Sequence, residues 1–198
     1  MFNSLRKALL ACALVLSSGA ALAGPTYLVT LHTQAYSGES GLLDFGMGGN
    51  ADAPSAFATL TQFSGAFENE FDRSPSTVGD LATGVTIANS GASNYLTQGV
   101  QLGGDLSFMV NFSGDFDTLD SAASSLFAVV LYDAQLTELW AFPVQFDLLS
   151  AFQGAPSAVL VTVDDSLASV AAVPEPSSLL LMLAALAVGG FMLRRKVQ

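Results

Sequence analysis

The chain has 198 residues, 51% hydrophobic and 12% charged, with a formal net charge of −11 at pH 7. That length holds one domain plus short targeting segments. A single cysteine excludes a disulfide scaffold and a thiolate metal site, and the acidic balance weighs against nucleic acid as a partner.

The N-terminus reads as a secretory signal, residues 1–23. Arg6 and Lys7 precede an apolar stretch over 8–16, and Ala21-Leu22-Ala23 supplies a small-x-small site for signal peptidase before Gly24. A lipoprotein signal ending at Cys12 would keep only four apolar residues after Lys7, too few for such a core. Cys12 is therefore expected to leave with the signal, at Ala21 and Ala23.

The acidic β-rich body is expected over 24–163. Residues 24–172 hold 16 of the 17 acidic residues and one basic residue, Arg73, so their formal charge is −15. Candidate strands, rich in alternating or β-branched residues, fall at 27–33, 41–46, 56–67, 83–88, 95–102, 106–112, 125–133, 138–147 and 158–163. Glycine-rich and Asn/Ser-rich stretches separate them, as at 46–50 and 89–94. Gly103-Gly104 between two alternating runs predicts a hairpin. Pro143 inside the run 138–147 predicts an edge or a bulge there. Short helices are expected at 117–123 or 148–152. Eight to ten short strands predict an all-β body, an antiparallel sandwich or jelly roll. Residues 164–173, rich in Ala and Ser, read as a flexible connector.

No side-chain constellation names a reaction. His32 is the only histidine, and no Gly-x-Ser-x-Gly turn accompanies it. One histidine without mature cysteines cannot build a zinc site. Asp115, Asp117 and Asp120 are candidate Ca²⁺ ligands, since that ion takes several oxygens. They lack the glycine and distal glutamate of a helix–loop–helix calcium site, and solvated loop charge is the competing reading. Glu68-Asn69-Glu70-Phe71-Asp72 and Asp164-Asp165 are similar acidic patches. Tyr27, Tyr36, Tyr95, Tyr132 and Trp140 could line a sugar-binding face, against core packing as the default.

The C-terminus carries the most specific pattern. Pro174-Glu175-Pro176 is followed by an uncharged span, 177–193, and then by Arg194-Arg195-Lys196. As a helix those 17 residues would reach about 26 Å, slightly short of a hydrocarbon core of about 30 Å. Snorkelling by the three cations closes the gap and favours a cytoplasmic end. A signal helix at the start and a single transmembrane helix at 177–193 thus bracket the body. Two prolines keep the intervening segment extended and accessible.

The tail over 174–198 resembles the PEP-CTERM sorting signal of Gram-negative bacteria. The carrying residues are Val173-Pro174-Glu175-Pro176, the apolar run, and Arg194, Arg195 and Lys196. The resemblance implies an exosortase as processing partner, cutting near Pro174, Glu175 and Pro176. It also implies a membrane-anchored intermediate with the body in the periplasm, then delivery to the cell surface or outside. Proteins with such tails are often linked to exopolysaccharide and biofilm. The body is also similar to a group of small PEP-CTERM proteins, through 27–33, Leu42-Leu43-Asp44-Phe45 and Leu131-Tyr132-Asp133. The expectation is a non-enzymatic exported protein with a structural or adhesive role and polysaccharide as a further partner. A Ca²⁺- or carbohydrate-binding module is the alternative, and a secreted hydrolase the third reading.

Overall fold

The structure is a computed structural model that describes residues 24–90 and 94–174. The expected signal 1–23 and membrane helix 177–193 lie outside the described residues. So do Ala21, Ala23, Glu175, Pro176, Arg194, Arg195 and Lys196. Among the described residues, no helix is long and apolar enough to cross a membrane.

Twelve strands run through the described residues: β1 Thr26–His32, β2 Ser40–Gly49, β3 Ala56–Ser64, β4 Phe67–Arg73, β5 Thr77–Asp80, β6 Gly84–Ala88, β7 Asn94–Gln101, β8 Asp105–Gly114, β9 Ser124–Asp133, β10 Glu138–Leu149, β11 Ala158–Val163 and β12 Ala168–Val173. They form two six-stranded sheets. The first has the order β12-β1-β8-β3-β6-β5, the second β11-β10-β9-β2-β7-β4. Neighbouring strands pair antiparallel throughout. The expected all-β, antiparallel body is therefore what this sequence forms.

Alternation in the sequence sets which side chains enter the core. On β1, Val29 and Leu31 are buried while Leu28 and Thr30 are more exposed. On β2, Leu43, Phe45 and Met47 point in, and Asp44, Gly46 and Gly48 point out. Successive strand residues face opposite sides, so a one-residue slip would swap these sets. The sheets meet through aromatic side chains. Phe45 of the second sheet meets Phe108 of the first at 5.0 Å, nearly edge-on. Phe112 of the first packs on Phe146 and Phe127 of the second at 5.0 and 5.8 Å. Such pairs contribute about 0.5–1.5 kcal/mol beyond the area they bury.

Four expectations are corrected. Gly103-Gly104 is not a hairpin, because β7 and β8 belong to different sheets. Here the chain crosses the rim. Thr33 Oγ1 accepts from Gly103 N–H at 3.0 Å and donates to Gly104 O at 2.7 Å. Gly103 has φ +119, and a Cβ there would lie 2.8 Å from Ser37 Cα. The connector 164–173 instead holds β12, which pairs with β1 over six residues from Thr26↔Val173 to Leu31↔Ala168. The expected helix at 117–123 is a single 3-10 turn, Asp115–Asp117, and Leu148 and Leu149 end β10 instead of starting a helix. Two strands, β4 and β5, carry no alternation strong enough to announce them. Pro143 does mark a bulge: the β9–β10 register shifts between Trp140 and Val144.

Candidate functional site

The outward face of the second sheet carries a groove of about 510 Å³. Its floor is β2, where Gly46 and Gly48 lie opposite Ala128 and Leu126 of β9. A Cβ on Gly48 would meet nothing within 4 Å, so the open space exists because no side chain fills it. Asp44 lies opposite Val130 of β9 at one end, and Asp147 of β10 lies opposite Leu126 at the other. Phe142 borders the groove at the Val130 level and is 49% exposed. Its φ is +54, in the left-handed region, and it directly precedes Pro143. A bulky residue before proline strongly disfavours that conformation, so the β10 bulge holds an aromatic outward under local strain.

The polar groups of the groove mostly accept hydrogen bonds. Burial pushes the Asp44 carboxyl above the usual carboxylate range, partly opposed by Thr97, whose Oγ1 donates to Asp44 Oδ1 at 2.5 Å. Asp44 and Asp147 lie two strands apart and four residues apart along the strand, roughly 16 Å at the Cα level by strand spacing. Paired carboxylates that hydrolyse glycosides stand about 5–9.5 Å apart. The groove thus combines a glycine floor, an aromatic flank and two widely separated carboxylates.

The residues singled out in the sequence go elsewhere. His32 ends β1, and its Nδ1 meets Asp105 Oδ1 at 2.9 Å; Gln34 Nε2 donates to the same oxygen at 2.7 Å. The His32 contact first, and Gln34 second, hold the Asp105 carboxyl below its ordinary range. Among the described residues, no serine or threonine hydroxyl hydrogen-bonds to the imidazole. Asp115, Asp117 and Asp120 do not converge. Ser55 Oγ donates to Asp115 Oδ2 at 2.8 Å and Ser157 Oγ to Asp117 Oδ1 at 2.5 Å. Asp120 forms a bridge with Ala151. Among the described residues, no three His, Cys, Asp or Glu side chains are grouped to hold a metal ion.

The tyrosines and tryptophan divide between core and surface. Trp140 is buried against Tyr36 at 5.6 Å, and Tyr27 packs on Phe146 at 5.1 Å. Tyr95 and Tyr132 lie outward beside β2, opposite Gly46 and Leu42, and Tyr95 Oη donates to Asp72 at 2.9 Å. The groove's own aromatic, Phe142, was not among the sequence candidates. Its signal was Phe-Pro inside a strand-like run. Asp147 carried no signal beyond strand alternation.

The tail follows directly on the last described strand. Tyr27 and Thr26 of β1 pair with Ala172 and Val173 of β12, and Pro174 follows, exposed. A family model described as the PEP-CTERM protein-sorting motif matches residues 172–196. No curated protein and no solved structure matches the chain. The motif supports an exported protein that an exosortase processes through a membrane-anchored sorting intermediate.

Proposed function

We propose that the body of this chain is a non-enzymatic surface or matrix protein with a structural or adhesive role among extracellular polysaccharides. One observation carries this reading: the last strand closes on β1 at Val173, one residue before the Pro174-Glu175-Pro176 segment. Cleavage within that segment would release a body that keeps all twelve described strands and its whole core. The wide separation of Asp44 and Asp147 is in keeping with a binding role for the groove. Mass spectrometry of the protein from cells with an active exosortase tests the processing. A C-terminus within 174–176 is expected, and a chain intact to Gln198 would overturn the reading.

The groove favours a second reading, a carbohydrate-binding module. Phe142 offers an aromatic face, the glycine floor admits a flat ring, and Asp44 and Asp147 accept from hydroxyls. Titration of the exported protein with neutral oligosaccharides tests it. Binding weakened at least tenfold by Phe142→Ala is expected. No heat of binding, or equal affinity in the variant, would remove this reading.

A further inference from the structure

The groove on the second sheet is lined by two carboxylates and no cation. Thr97 Oγ1 occupies Asp44 Oδ1 at 2.5 Å, and among the described residues nothing donates to Asp44 Oδ2 or to Asp147. Asp44 Oδ2 leans over the glycine floor: a Cβ built on Gly46 would lie 3.9 Å from it. Burial disfavours the ionised form of this carboxyl, and no cation of the body offsets that. Arg73, the one basic residue of the body, is tied to Glu70 Oε1 through Nε at 2.6 Å and to Gly79 O through Nη1 at 2.8 Å. A positive charge at Asp44 must therefore come from outside. The aromatic flank is close by. Asp44 is opposite Val130, and Phe142 borders the groove at the Val130 level, about 10 Å from Asp44 at the Cα level by strand spacing.

We propose, on the carbohydrate reading of this groove, that its ligand is a polysaccharide with free amino groups, a glucosamine-type polymer. One ring stacks on Phe142, and ammonium groups along the chain meet Asp44 Oδ2 and Asp147. An ammonium brings a positive charge and three donors, the complement of two carboxylates that lack donors. A cation on a ring beside an aromatic face is attracted to that face as well, so charge and stacking act on the same sugar. Asp44 and Asp147 stand roughly 16 Å apart, so a polymer charged on successive units reaches both, whereas a single amino sugar reaches one. Polymers of uronate, sulfate or phosphate are repelled, because the body sets 16 acidic residues against Arg73. A lysine-rich peptide shares the charge but brings no sugar ring for Phe142. The floor strand β2 is already paired on both sides, by β7 and β9, and offers a peptide no edge to extend.

Isothermal titration calorimetry of the exported protein at about pH 6, where amines are protonated and ordinary carboxylates ionised, tests this. The probes are a glucosamine hexamer, an N-acetylglucosamine hexamer, a mannuronate hexamer and hexalysine. The glucosamine hexamer should bind about tenfold tighter than the N-acetylated one, and the mannuronate hexamer should give no heat. Asp44→Asn and Asp147→Asn should each weaken the glucosamine hexamer about fivefold or more and leave the N-acetylated one within about twofold. Phe142→Ala should weaken both. Glu39→Gln, which removes an exposed carboxylate outside the groove, should change neither. Circular dichroism checks the sheet signal of each variant, and Asp44→Asn removes a buried charge, so its loss of binding is read on a folded protein. Equal affinity for the two hexosamine hexamers would leave the carbohydrate reading standing and overturn the amino-sugar proposal. No binding of either would overturn both. Binding of the mannuronate hexamer, or parent-like affinity in both Asp→Asn variants, would also overturn the proposal. So would hexalysine bound as tightly as the glucosamine hexamer, or a loss in Glu39→Gln equal to that in Asp44→Asn, since either would assign the attraction to the acidity of the whole body.

Discussion

At the scale of single residues, Asp44 and Gly114 have opposite relations to the fold. Burial raises the Asp44 pKa in the folded state above its unfolded value. The folded state therefore holds that proton more tightly, and the stability it brings is complete below the unfolded pKa. It is lost as pH rises through the folded pKa, so at neutral pH the ionised carboxylate is a cost. Asp44→Asn removes the charge and keeps an acceptor for Thr97 Oγ1. Its melting temperature should exceed the parent's at pH 7, and the gap should shrink as pH falls towards the carboxylate range. A gap that widens in acid would contradict burial as the cause. Asp105 is the counter-example. Its pKa is lowered, so its contribution is present above the unfolded pKa and lost as pH falls through the folded one. Asp105→Asn should lose stability at pH 7 and converge with the parent in acid. Gly114 shows conformational need. It sits at φ +124, ψ −173, a region open to glycine alone, and a Cβ there would lie 2.4 Å from Ser55 O. Gly114→Ala should cost about 1–3 kcal/mol, lowering the melting temperature by about 2–12 °C for a domain of this size. Neither trait was legible in the sequence. Asp44 was visible only inside a Leu-Leu-Asp-Phe resemblance, and its burial depends on neighbours brought by β7. Gly114 looked like any turn glycine.

At the scale of elements, strands with alternating apolar residues were legible and strands held by pairing were not. β1, β8 and the later half of β2 bury every second residue, and β9 is an unbroken apolar run buried from Phe127 to Leu131; these patterns alone announce them. β4 is a strand because β7 supplies partners for its backbone, while its charges face water. The Ala- and Ser-rich sequence of β12 reads as a connector because those residues carry weak strand preference, but β1 offers it six residue pairs and Ala168 is buried. A hairpin and a rim crossing share the Gly-Gly signal, since glycine freedom serves both; only the sheet membership of β7 and β8 separates them. The place of β12 gives a prediction about processing. A chain ending at Leu167 would expose β1 along its length and uncover the core beside Val29 and Leu31. It should lose cooperative unfolding or melt far below a chain ending at Val173, as followed by circular dichroism. Equal melting temperatures would mean that β12 is dispensable, and the closeness of fold end and sorting motif would lose its meaning.

At the scale of the whole molecule, charge rather than the core sets the character of the body. The body Gly24–Val173 has one arginine against 16 acidic side chains. Among the described residues its ion pairs are Arg73 with Glu70 and, when the imidazole is protonated, His32 with Asp105. Most carboxylates therefore have no cationic partner, and several, such as Asp80 with Thr83 and Asp164 with Ser166, are held below their ordinary pKa by nearby hydrogen-bond donors. Such groups stay ionised and repel one another across the surface. Exposed charges interact over a Debye length of about 30 Å at 0.01 M salt and about 8 Å at 0.15 M. Adding salt over this range should relieve the repulsion while leaving hydrophobic packing between Phe45, Phe108, Phe112 and Phe146 almost unchanged. The melting temperature of the exported protein should therefore rise from about 0.01 M to about 0.15 M sodium chloride. A protein dominated by favourable ion pairs would show the reverse, and a fall would refute the charge argument.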